Sequence, residues 1–295
     1  MKKLLLLIFL TVFFHINLFS QMSGSYTVGQ PGDDFLTIYG AIDTLKTEGM
    51  SGPVHFLLSD GFYGSLVISS FNPVNNDTLT IRSHSGNQDS VTFSRGQIIN
   101  SKNIIIKDIG FYKQYSSGNS LVYIDEGINI RFSGCRIVDD KTTNYNADEA
   151  TFKIDHAWTG QITSVYIDSC YISGLNGKPP YIINEHTINE SGDNGRTYFT
   201  KDTIIGGWYI FNAYYRYFNG CLLTLDKLDY VGNRVFYECK LDFYPLNNSY
   251  PRLKANHIDN CEIFGVYELD LESLKIEYSI FHLPVKMVHT QYFLF

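Results

Sequence analysis

Carboxylate and imidazole side chains gather in two long insertions of this chain, which cover residues 139–161 and 174–196. Paired carboxylates can serve as general acid and base, and loops on a rigid scaffold often hold functional groups. The first insertion supplies the catalytic candidates Asp139, Asp140, Asp155 and His156 and the binding candidate Lys141; the second supplies the binding candidates Glu185, His186 and Arg196. Solvated polar loops without a function are the alternative, since such loops are generally polar.

A run of aromatic residues between positions 208 and 218 is a second candidate site. It contains Trp208 and Tyr214, with Arg216 close by. Rings in a row could stack on sugar faces, and the guanidinium group could contact an acidic sugar. The alternative is a strand whose rings alternate between a core and a covered outer face.

The five cysteines predict packing rather than chemistry. Their odd number cannot pair completely, and they lack the close C-x-x-C spacing of zinc sites, so no metal centre is predicted. Each lies in an apolar-x-x-Cys-x-apolar hexad, and all ten flanking positions are Ile, Leu or Phe. These hexads cover residues 132–137, 167–172, 218–223, 236–241 and 258–263, and hexads with Cys replaced cover 106–111, 199–204 and 276–281. The hexad is therefore a repeat.

The spacing inside the hexad predicts how each repeat folds. The cysteine and the apolar residue two positions later can face inward on one strand. The first apolar residue lies three positions before the cysteine, so a bend must fall on the intervening pair, which in four of the five hexads consists of turn-forming residues. We therefore predict an all-β, single-stranded, right-handed parallel β-helix, a solenoid with the thiols stacked in its dry interior.

The N-terminal residues predict export and a cap. Residues 1–21 combine a cationic start, a short apolar run and a small residue at a plausible cleavage point, which is the pattern of a secretory signal. In residues 22–60 we expect a capping amphipathic α-helix with Asp34 as its N-cap and Gly49 as its stop. Its face would comprise Phe35, Ile38, Ile42 and Leu45. Residues 61–295 are expected to form the coils.

The charge of the chain restricts its partners. Removing Lys2 and Lys3 with the signal changes the net charge from −7 to −9. Binding to nucleic acid or to an anionic membrane needs clustered cations, so neither is expected. An acidic sugar would have to be met by a local Lys/Arg patch or by a bridging Ca²⁺ ion. No transmembrane segment is expected in the mature chain.

The chain resembles secreted bacterial right-handed parallel β-helix proteins of the pectin-lyase-like type, over nearly the whole mature sequence. The segments that carry this resemblance are Tyr26-Thr-Val-Gly29, Asp34-Phe-Leu-Thr-Ile38, Ser51-Gly-Pro-Val54, Asp60-Gly-Phe-Tyr63 and Leu79-Thr-Ile-Arg-Ser83, followed by the hexads. The resemblance implies the fold, but members of this fold include lyases, hydrolases, adhesins and spacers. Of the signatures that the enzymes of the fold imply, only Asp139-Asp140 and a Lys-Ile-Asp155-His156 segment are present.

The sequence thus favours an exported surface or matrix module that binds carbohydrate and needs no cofactor. The alternative is a polysaccharide lyase or glycoside hydrolase acting on an acidic polysaccharide, with Ca²⁺ expected only for a lyase. The apolar segment Tyr292-Phe-Leu-Phe295 follows the last hexad without an evident cap. We therefore expect either a shortened chain or end-to-end association with another chain.

Overall fold

The fold is described from a computed structural model. It describes residues 21–113, 120–139, 150–156, 162–174, 181–187, 195–206, 208–212, 215–225, 227–229, 233–243, 252–254, 257–265, 268–270, 275–282 and 286–288. Residues 1–20 of the predicted signal, Asp140 and the apolar segment 292–295 lie outside these ranges.

The described chain consists of one helix, α1 (Ile38–Glu48), and 29 short strands. In chain order the strands are β1 (Met22–Val28), β2 (Met50–Leu58), β3 (Gly61–Ser69), β4 (Leu79–Ser83), β5 (Val91–Ile99), β6 (Lys102–Lys107), β7 (Gly110–Lys113), β8 (Val122–Asp125), β9 (Ile128–Ser133), β10 (Arg136–Asp139), β11 (Phe152–His156), β12 (Thr163–Asp168), β13 (Tyr171–Gly174), β14 (Tyr181–Thr187), β15 (Gly195–Thr200), β16 (Thr203–Ile205), β17 (Trp208–Asn212), β18 (Tyr215–Asn219), β19 (Leu222–Leu225), β20 (Lys227–Asp229), β21 (Asn233–Tyr237), β22 (Lys240–Phe243), β23 (Arg252–Lys254), β24 (His257–Asp259), β25 (Glu262–Phe264), β26 (Glu268–Asp270), β27 (Lys275–Glu277), β28 (Ile280–His282) and β29 (Lys286–Val288).

The strands stack into three parallel faces that wind around one core. The first face has the order β1-β2-β4-β6-β9-β12-β15-β18-β21-β24-β27. The second runs from β7 through β10, β13, β16, β19, β22 and β25 to β28, and the third from β8 through β11, β14 and β17 to β20. The long strand β5 pairs with both β7 and β8, so it joins these two faces, and β23, β26 and β29 form a further parallel sheet. This right-handed parallel β-helix confirms the fold expected from the hexads.

Each hexad spans the corner between the first and second faces. The residue directly before the cysteine position adopts a positive φ, which turns the chain. The corner residues are Asp108, Gly134, Ser169, Lys201, Gly220, Glu238, Asn260 and Tyr278, with φ from 45° to 62°. The bend therefore falls on the predicted pair, and a single left-handed residue produces it.

The core follows from this register. The first apolar residues of successive hexads lie opposite one another, as in the pairs Phe199↔Phe218 and Phe218↔Phe236. The rings of these two pairs stack with centroids 4.7 and 4.8 Å apart. All five cysteines are unpaired and buried, and the amide of Tyr171, which follows Cys170, donates to the carbonyl of Cys135 one coil away. The interior file of thiols is confirmed, with Asp202 interposed between Cys170 and Cys221.

Helix α1 packs against β1, β2 and β3 at the first coil, with Ile38, Ala41, Ile42 and Leu45 buried. Its end at Gly49 is confirmed, with a φ of 80°. Its predicted start at Asp34 was wrong, because the N-cap is Thr37, whose hydroxyl accepts from the Gly40 amide.

The residues before the helix are held in an extended segment instead. The carboxylate of Asp34 accepts from the Thr27 amide at 2.7 Å, and Phe35 bridges to Val28 of β1. Pairing with β1 therefore delays the helix by one turn. Among the described residues, no helix is long and apolar enough to cross a membrane.

Candidate functional site

A strip of cationic and aromatic side chains lies on the outer side of the first face. We call it the basic–aromatic face, and it comprises Arg82, Lys107, Arg131, Tyr166, Arg196 and Tyr198 on strands β4, β6, β9, β12 and β15. Inward-facing residues of these strands, such as Ile106 and Phe132, fill the core. Strand alternation therefore directs the residues of the strip outward.

Strand register places five of these side chains in two neighbouring columns, and Arg196, opposite Ser164, lies in a third column beside them. Arg82 lies opposite Lys107 in one column, and Arg131 lies opposite Tyr166 in the other. The Arg131 guanidinium carbon is 5.3 Å from the centre of the Tyr166 ring. Tyr166 and Tyr198 stack with centroids 4.9 Å apart and planes 7° from parallel. A rigid cation–π and ring stack therefore runs along the helix axis.

The charge of this face is opposite to that of the whole chain. Lys107, Arg131 and Arg196 are exposed. Asp168 is the one carboxylate among the outward positions of these five strands, and its side chain accepts a long hydrogen bond from Ser133 at 3.4 Å. A chain of net charge −7 thus presents a local cationic strip. This is the Lys/Arg patch that binding an acidic sugar would require.

The basic–aromatic face could have been found in the sequence by aligning the hexads, although the residue types alone did not reveal it. Arg131, Tyr166 and Tyr198 each directly precede the first apolar residue of a hexad. Aligning the hexads would have placed them in one column, because this position faces outward on every coil. Tyr217 occupies the same position on the next coil, opposite Tyr198.

A second group of ionisable side chains lies on the outer side of the third face. Asp125 of β8 lies opposite Asp155 of β11, and Tyr123 lies opposite Lys153. The Tyr123 hydroxyl donates to Asp155 at 2.9 Å, and the Lys153 ammonium is 3.3 Å from the same Asp155 oxygen. Among the described residues, the other Asp155 oxygen is buried without a hydrogen-bond partner. We call these four residues the Asp125–Asp155 cluster.

The surroundings of the Asp125–Asp155 cluster perturb its proton affinities. Burial, followed by the neighbouring charge of Asp155, raises the pKa of Asp125 above its ordinary value. Burial, together with the hydrogen bond to Asp155, raises the pKa of Tyr123. Such paired carboxylates in unequal environments are found at sites of acid–base catalysis, although structural ion pairs show similar shifts.

The two insertions leave the β-helix side by side, as expected. Asp139, the last residue of β10, lies opposite Gly174, the last residue of β13. Within the insertions, Asp155 of β11 lies opposite His186 of β14, while Glu185 lies opposite the buried Ile154. The structure thus brings strands from both insertions into register.

Several candidates occupy positions that differ from their expected surroundings. Asp139 and His156 are buried, with 2% and 1% of their surfaces exposed, and His156 Nδ1 is 2.5 Å from the Thr163 hydroxyl. Arg216 was expected to reach an acidic sugar, but it is fully buried because its position on β18 faces the core, in register with Thr197. Arg216 is therefore not part of an outer sugar-binding surface. Arg196 is exposed and belongs to the basic–aromatic face.

The remaining candidates are only partly covered by the structure. Asp140, Lys141 and Tyr214 lie outside the described residues. For Glu185, His186 and Trp208 the structure describes strand positions, with Trp208 of β17 opposite Tyr181 of β14. Their roles in binding stay predictions.

No protein-family model and no curated protein sequence matches this chain. Among solved structures, the chain is similar to a pectin methylesterase from Aspergillus niger (TM-score 0.47, 12% identity, 91% of this chain and 87% of that chain covered). It is also similar to the pectin methylesterase PemA from Erwinia chrysanthemi (TM-score 0.48, 12% identity, 92% and 94% covered). These likenesses are too distant to transfer an activity. The stacked parallel faces of the chain itself show the right-handed parallel β-helix fold.

Proposed function

We propose that this protein is an exported, non-catalytic module that binds an acidic polysaccharide along the basic–aromatic face. The observation that supports this proposal is the cationic, tyrosine-lined strip on an otherwise acidic chain. Export rests on the predicted signal in residues 1–21.

The geometry suits an extended polymer better than a small ligand. Equivalent side chains recur once per coil, at the inter-strand spacing of about 4.8 Å, so cations and hydroxyl groups form a row along the axis. Guanidinium groups recognise carboxylate or sulfate by paired hydrogen bonds, and tyrosine hydroxyls can bond to sugar hydroxyls. Because the rings of Tyr166 and Tyr198 stack on each other, they would offer edges and hydroxyls to a sugar.

Binding of the mature chain to a polyuronate, a sulfated glycan and a neutral glucan tests this function. We expect the two acidic polymers to bind, with affinity falling as salt is raised, and the glucan not to bind. The double substitution Arg131→Ala and Arg196→Ala should weaken binding at least tenfold, measured by calorimetry at low salt.

Arg136→Ala is the matched control, because Arg136 lies 5.8 Å from the centre of the Tyr171 ring on the second face. It should leave the affinity unchanged. Equal losses in both variants, or equal binding of a single-stranded DNA of the same charge, would contradict a specific polysaccharide site on the first face.

The Asp125–Asp155 cluster supports a second candidate function, cleavage of an acidic polysaccharide. Asp125, whose pKa is raised, would act as the acid, and Asp155 as the base. Incubation with polyuronates, followed by absorbance of unsaturated products and by release of reducing ends, separates lyase, hydrolase and binding module. Products that are lost in both Asp125→Asn and Asp155→Asn would replace the binding proposal with an enzymatic one.

A further inference from the structure

The outer side of the first face ends, on its last two described coils, in a compact group of three metal-ligating side chains. His257 and Asp259 are two residues apart on β24, so both face outward. Glu277 of β27 lies opposite Asp259. The imidazole nitrogen and the two carboxylate oxygens all lie within 4.8 Å of one another.

The contacts around Glu277 show that its carboxylate already attracts one cationic group, the Lys275 ammonium. The His257 Nε2 atom is 2.8 Å from Glu277 Oε2, and the Lys275 ammonium is 2.6 Å from the same oxygen. Two nitrogen groups thus converge on one carboxylate oxygen. A divalent cation could take the place of the ammonium, provided that the imidazole is neutral and offers its lone pair.

We propose that His257, Asp259 and Glu277 bind a divalent transition-metal ion such as Zn²⁺. One imidazole nitrogen with two carboxylate oxygens suits zinc or copper, whereas Ca²⁺ and Mg²⁺ prefer sites made of oxygen alone. Three protein ligands leave a coordination position open for water or for an external group. The strands hold the ligands in place, since each residue has a fixed register in a parallel ladder.

This site is independent of the basic–aromatic face, although both lie on the first face. His257 occupies the same position in its hexad as Arg131 and Tyr166 do in theirs. Strands β18 and β21 separate β24 from β15, the last strand of the basic–aromatic face. The sequence did not predict a metal because His257 and Glu277 lie in different repeats and meet only when the coils stack.

Calorimetric titration of the mature protein with ZnCl₂ tests the proposal. His257→Ala and Glu277→Gln should each weaken binding more than tenfold. Lys275→Met should tighten binding severalfold, because it removes the competing ammonium while keeping the length of the side chain. CaCl₂ should bind much more weakly than ZnCl₂.

His282→Ala is the matched control, because His282 pairs with Glu262 at 3.1 Å on the second face without belonging to the three-ligand group. It should bind Zn²⁺ like the unaltered protein. Cu²⁺ bound to the unaltered protein should show nitrogen hyperfine coupling in its electron paramagnetic resonance spectrum, and His257→Ala should lose it. Retained Zn²⁺ affinity in His257→Ala, or equal affinity for Ca²⁺, would overturn the proposal.

Discussion

At the residue scale, the side chain at the cysteine position of the hexad fills space in the core and also accepts a hydrogen bond from a backbone amide. The amide of Cys135 donates to Cys170 Sγ at 3.4 Å, and the amide of Cys261 donates to Ser279 Oγ at 3.1 Å. The Cys261 thiol in turn lies 3.2 Å from the Asp259 carbonyl, where it can donate. In these coils the amide at the cysteine position of the hexad finds a side-chain acceptor on the next coil, and Cys, Asp and Ser each supply one.

Asp202 is the residue of this interior column whose ionised form is unfavourable, because its carboxyl group is buried. It is buried, and its oxygens accept from the amides of Cys170 at 2.7 Å and Thr200 at 3.0 Å. Burial, followed by the neighbouring thiol of Cys221, raises the pKa of Asp202 to about 9. The folded chain therefore holds this proton more firmly than an unfolded chain does. The stability that the protonated carboxyl contributes is complete below about pH 4 and is lost as the pH rises toward about 9.

Replacing Asp202 with cysteine, the residue at the equivalent position of five other hexads, should remove this pH dependence. In Asp202→Cys, a thiol can accept from the Cys170 amide without carrying charge. We expect the free energy of unfolding at pH 8.5 to rise by about 1–3 kcal/mol and its slope between pH 6 and 9 to flatten. Urea unfolding across this pH range is the measurement. Asp89→Asn, an exposed carboxylate, should keep the original slope, and an unchanged slope in Asp202→Cys would contradict the assignment.

At the element scale, the corner residue between the first and second faces sets the path of each coil. Some coils place glycine there, as at Gly134 and Gly220, whereas others force Lys201, Glu238 or Tyr278 into the left-handed region. A side chain in this region costs about 1–2 kcal/mol relative to glycine. The corners therefore differ in strain although their backbones are alike.

Exchanging corner residues should shift stability in opposite directions. Gly220→Ala should lower the free energy of unfolding by about 1 kcal/mol, because an added Cβ finds room but the φ of 62° is unfavourable. Lys201→Gly should raise it by a somewhat smaller amount, since glycine also gains entropy in the unfolded chain. Gly64→Ala, at an exposed strand position with open space, should change little. Urea midpoints compare the three, and equal effects at positions 220 and 64 would contradict the corner argument.

At the scale of the whole molecule, the protein is a stack in which each coil contacts its neighbours. Such a stack needs protection at its ends, because exposed strand edges pair with other chains. Helix α1 supplies it at the first coil, where Ala41 and Leu45 are buried among β1, β2 and β3. Aromatic contacts among Tyr26, Phe35 and Phe56 continue the core beneath the helix.

Disrupting the apolar side of the cap should expose the first coil. Ile42→Asp with Leu45→Asp should detach α1, lower thermal stability and produce concentration-dependent association through the freed end. Light scattering and size-exclusion chromatography would detect it. Lys46→Asp, on the same helix but outside its buried side, should stay as soluble as the unaltered chain. A soluble, monomeric double variant would show that the helix does not protect the stack.

The sequence alone determined the repeat, because inward positions of a coil must be apolar and the corner needs turn-forming residues. The hexads that begin at positions 132 and 218 therefore predicted the strand–corner–strand coils and the interior column of thiols. The helix start could not be found in this way, since pairing of Phe35 with β1 competes with helix formation.

The outer surfaces were decided only by stacking. Outward-facing residues do not have to be apolar, because they do not pack in the core. Their types therefore show no repeat until the coils are aligned. Arg131, Tyr166 and Tyr198 become neighbours because strands 30 or more residues apart pair in register. The same stacking buried Arg216, which its aromatic surroundings in the sequence had suggested was exposed. A solenoid brings distant residues together one coil at a time, and this register is a property of the tertiary structure.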